Sequence, residues 1–302
     1  MSQASAVTGG LEPVDCALCG SRASRPSYTK LGLSIVECTG CGLRFVNPRY
    51  PKEVTWQRYS EAYFLNEYLP AAGVIGGRVN HQANQARHAA TLTLLEAESG
   101  GTGRLLDIGS GAGLFLAAAA QRDWSVVGLE LSSAGVEFSK RTLGLDVRQA
   151  TAESVDSLAE TFDVVTMFDV IEHLYNPIAV LRLARSVLRP GGLMVVSTPN
   201  FDALSRLALG TDWAILSPLE HLYYFSAATL SRAFLAAGYS SSRIHNRHPR
   251  WRRWETMNPR HTNNPDSMRS RACFVLFLGM LPFHRVVQRA GFGDVLLGTA
   301  RA

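Results

Sequence analysis

The residues that could do chemistry are concentrated around a glycine-rich turn near the middle of the chain. The run 105–120 reads LLDIGSGAGLFLAAAA, a pattern typical of a buried strand, a turn and a helix. Gly109, Gly111 and Gly113 lack a Cβ, so a ligand can approach the main-chain N–H groups at the helix start. A lone glycine turn is a weak signal, and its meaning depends on the acids around it.

Two acids flank the turn. Glu130 ends the apolar segment SVVGLE, 19 residues after Gly111, where an α/β nucleoside site holds ribose hydroxyls. A dinucleotide enzyme would meet this spacing equally well. Asp107 stands two residues before the first glycine, where it would repel a pyrophosphate and suits an ammonium group. The acids therefore favour a nucleoside with an amino-acid tail over NAD.

The order Asp-Ile-Gly-Ser-Gly-Ala-Gly resembles motif I of the class I S-adenosylmethionine-dependent methyltransferases. The likeness runs from about Arg104 to Tyr239 and resumes in the final segment GDVLLGTARA. It implies an α/β fold, a Rossmann-like doubly wound sheet of seven mostly parallel strands with an antiparallel last strand. The alternation of strand and helix patterns from Arg104 agrees with that architecture.

The same resemblance implies S-adenosyl-L-methionine as the cofactor and assigns residues to it. Thr151, Ala152 and Glu153 stand where the family faces the adenine, although many relatives carry an acid in place of Thr151. The expected cofactor-binding residues are Asp107, Gly109, Ser110, Gly111, Gly113, Glu130, Leu131, Thr151, Ala152, Glu153 and Phe168.

Catalytic candidates lie beyond the fourth and fifth strands. Methyl transfer requires the nucleophile and the methyl group to be held within ~3–3.5 Å, and a hydroxyl nucleophile also needs a base or a metal. The candidates are Asp169, Glu172 and His173 in FDVIEHL, and His221 in LEHLYYFS.

This set is similar to the two acids and two histidines that hold a divalent ion in metal-assisted methyltransferases of RNA termini or quinone precursors. Asp169 departs from the usual glutamate. A divalent metal, a simple histidine base, and a structural role in which Glu172 and His173 hydrogen-bond to the backbone are the alternatives.

Four cysteines form two pairs near the N-terminus. Cys16 and Cys19 lie in CALCG, and Cys38 and Cys41 lie in CTGCG. Two Cys-x-x-Cys knuckles can surround one ion tetrahedrally, so the spacing predicts a structural zinc ribbon. Disulfides are disfavoured in a reducing cytosol, and four thiolates leave no open position for a catalytic zinc. The isolated Cys273 is predicted to be packed in the core.

The sequence divides into four parts: a disordered tail over 1–12, the zinc ribbon over 13–50, a helical lead-in covering the cofactor site over 51–99, and the methyltransferase domain over 100–302. Aromatic residues of the lead-in recur every three to five positions, which predicts one apolar face on the core, with Tyr59 or Tyr63 touching the cofactor as the alternative. They are Trp56, Tyr59, Tyr63, Phe64 and Tyr68.

The domain is interrupted by a basic insertion at about 243–290. Eight arginines and two acids lie between Arg243 and Arg271, with Trp251 and Trp254 among them. We interpret the insertion as a solvated lid; contact with nucleic acid or with an anionic membrane surface are alternatives. The apolar run that follows predicts a helix broken near Pro282, which would line a pocket for an apolar substrate or form a homodimer contact.

The net charge of +5 is too mild to identify a polyanionic partner. The longest late apolar run is too short to cross a bilayer, and the N-terminus lacks the pattern of a signal peptide. We therefore expect a cytoplasmic protein without a transmembrane segment.

The expected activity is methyl transfer to a small or medium molecule of secondary-metabolite, sugar or cell-envelope biosynthesis. O-methylation is favoured over C-methylation, because histidines suit the deprotonation of a hydroxyl. An RNA methyltransferase that uses the ribbon and the arginines, and a cofactor-binding scaffold without turnover, are the other hypotheses.

Overall fold

The computed structural model describes residues 10–56, 60–245, 264, 267–280 and 283–302. The strands are β1 (Ser24–Lys30), β2 (Leu33–Cys38), β3 (Arg44–Val46), β4 (Arg104–Ile108), β5 (Ser125–Glu130), β6 (Val147–Gln149), β7 (Phe162–Phe168), β8 (Leu188–Pro199), β9 (Tyr223–Tyr224), β10 (Ser241–His245) and β11 (Val295–Arg301).

Seven of these strands form the main sheet, in the order β10, β11, β8, β7, β4, β5, β6. Strands β4 to β8 run parallel. The final strand β11 lies between β8 and β10 and is antiparallel to both. The doubly wound sheet with an antiparallel last strand is therefore confirmed.

The helices flank this sheet. They are α1 (Lys52–Trp56), α2 (Glu61–Tyr63), α3 (Leu69–Ala71), α4 (His81–Ser99), α5 (Leu114–Ala120), α6 (Ser133–Leu143), α7 (Pro177–Ser186), α8 (Leu204–Leu209), α9 (Ala227–Ala236), α10 (Met268–Met280) and α11 (His284–Arg289), with a π-helical turn over Phe64–Tyr68 and 3₁₀ turns over Ala152–Leu158, Ile171–His173 and Gly210–Asp212.

The central strands owe their positions to continuous apolar runs. Leu105, Leu106 and Ile108 of β4 are buried, and Val164 and Val165 of β7 are completely inaccessible to solvent. Strands that are buried on both faces need helices on both sides of the sheet, and their sequences then lack the alternation of a half-exposed strand. This arrangement brings the carboxyl ends of β4, β5 and β7 together at one edge.

The N-terminal cysteine segment, residues 13–50, shares a second sheet with a strand from the larger part of the chain. Strands β1, β2 and β3 are joined by β9 from far along the chain, with Phe45 paired to Tyr223 and Arg44 paired to Tyr224. Phe45 is buried in the same cluster as Met167 of the main sheet. The segment predicted as a separate ribbon is thus built into the main domain through its third strand.

The lead-in contains one long helix and several short pieces. Helix α4 begins after Asn80, whose side chain accepts a hydrogen bond from the Ala83 N–H, and ends at Gly100 in the left-handed conformation, which are favoured residues for these positions. The stretch WQRYSEAYFLNEYL, part of the predicted helical lead-in, contains α2 and the π-helical turn, and α3 follows them without a break up to Ala71. Tyr59 lies outside the described residues.

Residues 246–263, 265–266 and 281–282 of the predicted basic insertion, with Trp251 and Trp254 among them, also lie outside the described residues. Within the second half of the insertion, α10 ends at Met280 and α11 begins at His284, on either side of the predicted break near Pro282. Cys273 is buried in a cluster with Phe201 and Trp213, as expected. None of the described helices combines the length and the apolar composition that a bilayer crossing needs.

Candidate functional site

A cavity of about 510 Å³ opens at the carboxyl ends of β4, β5 and β7. Its size lies within the range of small-molecule sites, roughly 300–1,000 Å³. The glycine turn forms one wall, the segment after β7 forms another, and aromatic residues of the lead-in complete the lining. In a parallel sheet, this edge is where ligands bind.

The glycine turn needs its glycines for two reasons. Gly109, Gly111 and Gly113 all have φ between 56° and 73°, a region that costs other residues roughly 1–2 kcal/mol. A Cβ on Gly111 would also overlap the hydroxyl of Tyr68. The turn thereby leaves its backbone bare on the cavity side.

Glu130 connects the end of β5 to this turn. One carboxylate oxygen accepts a hydrogen bond from the Gly111 N–H at 2.8 Å, and the other accepts one from the Ser132 N–H at 2.7 Å. Burial raises the pKa of Glu130, and the backbone N–H groups partly offset that shift because they stabilise the carboxylate. Each oxygen retains a lone pair for a ligand hydroxyl.

Asp107 is almost completely buried at the end of β4, with 3% of its surface exposed. Its Oδ1 accepts a hydrogen bond from the Thr166 hydroxyl at 2.6 Å. Thr166 is the register partner of Asp107 on the neighbouring strand β7, so the sheet itself aims this carboxylate at the cavity that Asp107 lines.

The segment after β7 carries the predicted acids. Asp169 has φ of 56°, and its Oδ1 accepts a hydrogen bond from the Ser197 hydroxyl at 2.8 Å. Glu172 is buried and accepts one from the Thr198 hydroxyl at 2.9 Å. Burial raises the pKa of Glu172 well above its usual range, and the nearby negative charge of Asp169 adds to the shift.

His173 and His221 form a perpendicular pair with ring centroids 4.8 Å apart. Nδ1 of His173 lies 2.9 Å from the Glu220 carbonyl oxygen, and Nδ1 of His221 lies 2.8 Å from that of Ile215. Because a carbonyl only accepts, each Nδ1 carries the hydrogen and each Nε2 carries the lone pair.

Both imidazoles are kept neutral by their surroundings. Burial lowers the pKa of His173 to about 4, with a smaller contribution from His221. Burial also lowers the pKa of His221. At neutral pH each ring can therefore accept a proton or bind a metal ion.

The structure does not give the four catalytic candidates equal access to the cavity. His173 and Asp169 line it, whereas Glu172 and His221 are not part of its wall. Glu172, His173 and His221 form a group of possible metal ligands, because their donor atoms lie within 4.8 Å of one another. Asp169, the fourth predicted metal ligand, is not in that group.

The four N-terminal cysteines also come together. Their Sγ atoms all lie within 4.8 Å of one another, with 3.5 Å between Cys16 and Cys41 and 3.5 Å between Cys19 and Cys38. A tetrahedral zinc with Zn–S bonds of about 2.3 Å places its sulfurs roughly 3.8 Å apart. The donor set therefore fits zinc, and none of the four thiols forms a disulfide.

Residues 79–241, more than half of the chain, match the protein family described as Methyltransferase domain. The chain belongs to this methyltransferase family. Together with motif I, the match establishes a class I S-adenosylmethionine-dependent methyltransferase, as the sequence predicted.

Known proteins similar to this methyltransferase fall into two groups. Ubiquinone biosynthesis O-methyltransferases from Cereibacter sphaeroides (strain KD131) and Parvibaculum lavamentivorans are 35% identical over 119 residues and 41% identical over 102. These matches cover 37% and 32% of this chain, and 48% and 40% of the relatives. The chain thus spans less than half the length of these curated relatives.

The second group consists of solved structures. A SAM-dependent methyltransferase from Archaeoglobus fulgidus has a TM-score of 0.53 at 19% identity, over 78% of this chain and 100% of that one. Another from Thermotoga maritima has a TM-score of 0.52 at 20% identity, over 82% and 99%. Both agree with the fold.

The structure places ten of the eleven predicted cofactor residues in the cavity wall. The exception is Gly113, which precedes α5 in the left-handed conformation. A Cβ there would press on Ser139 and Leu145, so this glycine allows helix α6 to approach the turn. Glu153 lines the cavity while its carboxylate pairs with Lys52 at 2.9 Å.

Several cavity residues were missed or underestimated from the sequence. Trp56, Tyr63, Phe64 and Tyr68 line the cavity, although the pattern favoured packing on the core. Arg87 and His88 of α4 and Tyr175 of the segment after β7 were not predicted at all. A signal was present in α4, because polar Asn84, His88 and Thr91 occupy its buried stripe.

Replacing Gly111 tests the glycine turn. We expect Gly111→Ala to weaken S-adenosylhomocysteine binding at least tenfold, measured by calorimetric titration, because its Cβ displaces Tyr68 and strains the turn. Gly144→Ala is the matched control: Gly144 has φ of 67° and nothing within 4 Å of an added Cβ. Equal losses of affinity in both variants would contradict this account of the turn.

Proposed function

We propose that this methyltransferase transfers a methyl group from S-adenosylmethionine to a hydroxyl group of a small molecule, with His173 as the proton acceptor. The observation that carries the proposal is the His173 ring in the cavity wall, with its Nδ1 held on the Glu220 carbonyl so that Nε2 is the proton-accepting nitrogen of the ring.

The residues of the turn and its neighbours would hold the cofactor. Asp107 suits the ammonium group and Glu130 the ribose hydroxyls. Arg87 is the one arginine or lysine among the described residues that line the cavity, and it would balance the carboxylate of the cofactor's methionine moiety. When bound, S-adenosylmethionine supplies a methyl group on a positively charged sulfur, so the reaction needs orientation more than covalent help.

His173 would act late in the transfer. Its low pKa keeps the ring neutral at physiological pH, which makes it a weak but available base. The acceptor hydroxyl becomes acidic only as its oxygen bonds to the methyl group, and a positioned acceptor for that proton assists the step. His221 would support this role by packing its ring on His173.

We propose that the acceptor is a phenolic hydroxyl, as in a quinone precursor. Trp56, Tyr63 and Tyr175 in the cavity wall suit a flat ring, since aromatic side chains pack on one another edge-on or offset. The relatives named for ubiquinone biosynthesis support this class. They do not support the secondary-metabolite, sugar or cell-envelope substrates expected from the sequence.

A metal-assisted variant of the same reaction has one observation in its favour. Glu172, His173 and His221 offer a carboxylate and two imidazoles within 4.8 Å, and such donors suit several divalent metals. The raised pKa of Glu172 weighs against an ion unless binding displaces its proton. A metal ion bound to these residues would distinguish the metal-assisted reaction from one in which a histidine acts alone as the base.

Substitution of His173 tests the base. His173→Asn keeps a donor toward the Glu220 carbonyl but lacks the imidazole lone pair. With 3,4-dihydroxybenzoate as the probe and labelled S-adenosylmethionine, we expect turnover to fall ~100-fold or more with unchanged S-adenosylhomocysteine affinity. His245→Asn, on the distant strand β10, should leave turnover unchanged. Undiminished turnover in His173→Asn would exclude the base role.

We also propose that the four clustered cysteines hold a structural zinc ion and that residues 13–50 form a zinc-stabilised unit. Gly20 and Gly42 follow the knuckles with φ of 72° and 79°. The Gly20 and Gly42 N–H groups donate to the carbonyls of Cys16 and Cys38. These turns aim the four thiols at one point.

Metal analysis tests the zinc site. We expect one zinc per chain, lost in Cys41→Ser together with a large fall in thermal stability, and retained in Cys273→Ser, which changes the isolated cysteine. Zinc retained in Cys41→Ser would contradict the proposal. A further metal equivalent that disappears in Glu172→Gln would favour the metal-assisted variant over the simple base.

A further inference from the structure

Arg49 is a buried arginine near the end of the cysteine segment, and it contacts the wall of the cavity. Only 9% of its surface is exposed. Nη1 donates a hydrogen bond to the Tyr223 hydroxyl at 3.0 Å, and Nη2 donates one to the Tyr175 carbonyl at 3.1 Å. The guanidinium carbon also lies 4.6 Å from the centre of the Tyr175 ring, so one side chain holds both the backbone and the ring of Tyr175.

Tyr50, Thr55 and Tyr223 hold the remaining polar groups of Tyr175. Its hydroxyl donates to the Tyr50 carbonyl at 2.9 Å and lies 2.7 Å from the Thr55 hydroxyl. The Tyr223 hydroxyl donates to the Tyr175 carbonyl at 3.2 Å, which closes a ring of hydrogen bonds with Arg49. Tyr175 is thereby fixed in the cavity wall, two residues after His173.

Stability alone is a poor explanation for this arginine. A buried cation loses its hydration, and apolar replacements of buried charges are often neutral or stabilising. Among the residues that the structure describes, no carboxylate forms a salt bridge with Arg49; its charge faces one carbonyl oxygen, one hydroxyl and two aromatic rings. The planar fork of an arginine does, however, fix the geometry of several partners at once.

A second connection joins strand β3 to the segment that carries Glu172. The Val46 N–H donates to the Leu222 carbonyl, and the Leu222 N–H donates to the Glu172 carbonyl. Strand β3 therefore reaches the segment 171–175 through one intervening residue. His221 directly precedes Leu222, and His173 directly follows Glu172. Each histidine of the pair is therefore adjacent in sequence to a residue in this series of hydrogen bonds.

We propose that Arg49 is a positioning residue for methyl transfer: it holds Tyr175, and through it the segment 171–175, so that His173 faces the acceptor. The inference rests on the proposed function of His173. Arg49 is separated from the reacting atoms by Tyr175, and a misplacement of about 1 Å in such a segment can reduce turnover 100-fold.

The test compares Arg49→Lys and Arg49→Met with Arg206→Lys. Arg206 is a close structural match, since it packs on the Phe201 ring at 4.4 Å and donates to the Tyr28 hydroxyl and the Phe201 carbonyl, away from the cavity. Two measurements are made on the full chain: amide hydrogen exchange of peptides spanning 170–176, and turnover of 3,4-dihydroxybenzoate.

We expect both Arg49 variants to raise exchange in 170–176 at least tenfold and to lower turnover 10- to 100-fold, with thermal stability close to that of Arg206→Lys. Arg206→Lys should leave exchange in this segment and turnover unchanged. Unchanged exchange in both Arg49 variants, or an equal rise in Arg206→Lys, would overturn the proposal. If His173→Asn also retains full turnover, the proposed function fails, whereas the exchange data still decide whether Arg49 holds the segment.

Discussion

The glycine turn at the cavity depends on the bridge that Glu130 makes between two backbone N–H groups. Gly111 belongs to the turn after β4, and Ser132 precedes helix α6. The Ser132 side chain in turn accepts a hydrogen bond from Gly135 at the helix start. One carboxylate therefore fixes the turn, the end of β5 and the entry to α6, and burial makes this arrangement costly unless both oxygens are bonded.

The acceptor side of the cavity depends on contacts across long stretches of sequence. Strand β9 pairs with β3, and Arg49 reaches Tyr175, so the N-terminal segment forms part of the scaffold around the histidine pair. The N-terminal segment shares its hydrophobic core with the methyltransferase region. Metal binding at the cysteines would then stabilise the site through packing, without contact with either substrate.

Ten of the eleven residues that the sequence assigned to the cofactor line one cavity, because the signals that single them out are local. A strand, a glycine turn and an acid at the next strand's end lie within about 25 residues, and spacing alone identifies them. Gly113 shows the limit of that reasoning: it serves the approach of α6, which no local pattern distinguishes from ligand contact. The convergence of the four cysteines was equally predictable, because two knuckles with the same Cys-x-x-Cys-Gly spacing indicate it.

The acceptor side was less predictable. The sequence named both histidines but could not tell that His173 lines the cavity and His221 lies behind it, because their carbonyl partners Glu220 and Ile215 are set by tertiary packing. The partners of Arg49 and Tyr68 are distant in sequence, so no local pattern predicts their contacts. The predictions for the basic insertion stay predictions, since residues 246–263, with five of its arginines and both of its tryptophans, lie outside the described residues.

The most direct test of the Glu130 bridge is calorimetric titration of Glu130→Gln with S-adenosylmethionine, with Glu137→Gln as the control, since Glu137 is an exposed partner of Arg141. The amide has one accepting oxygen where the carboxylate has two, so one N–H of the bridge loses its partner. The account predicts affinity at least tenfold weaker in Glu130→Gln and unchanged in Glu137→Gln. Wild-type affinity in Glu130→Gln would contradict it.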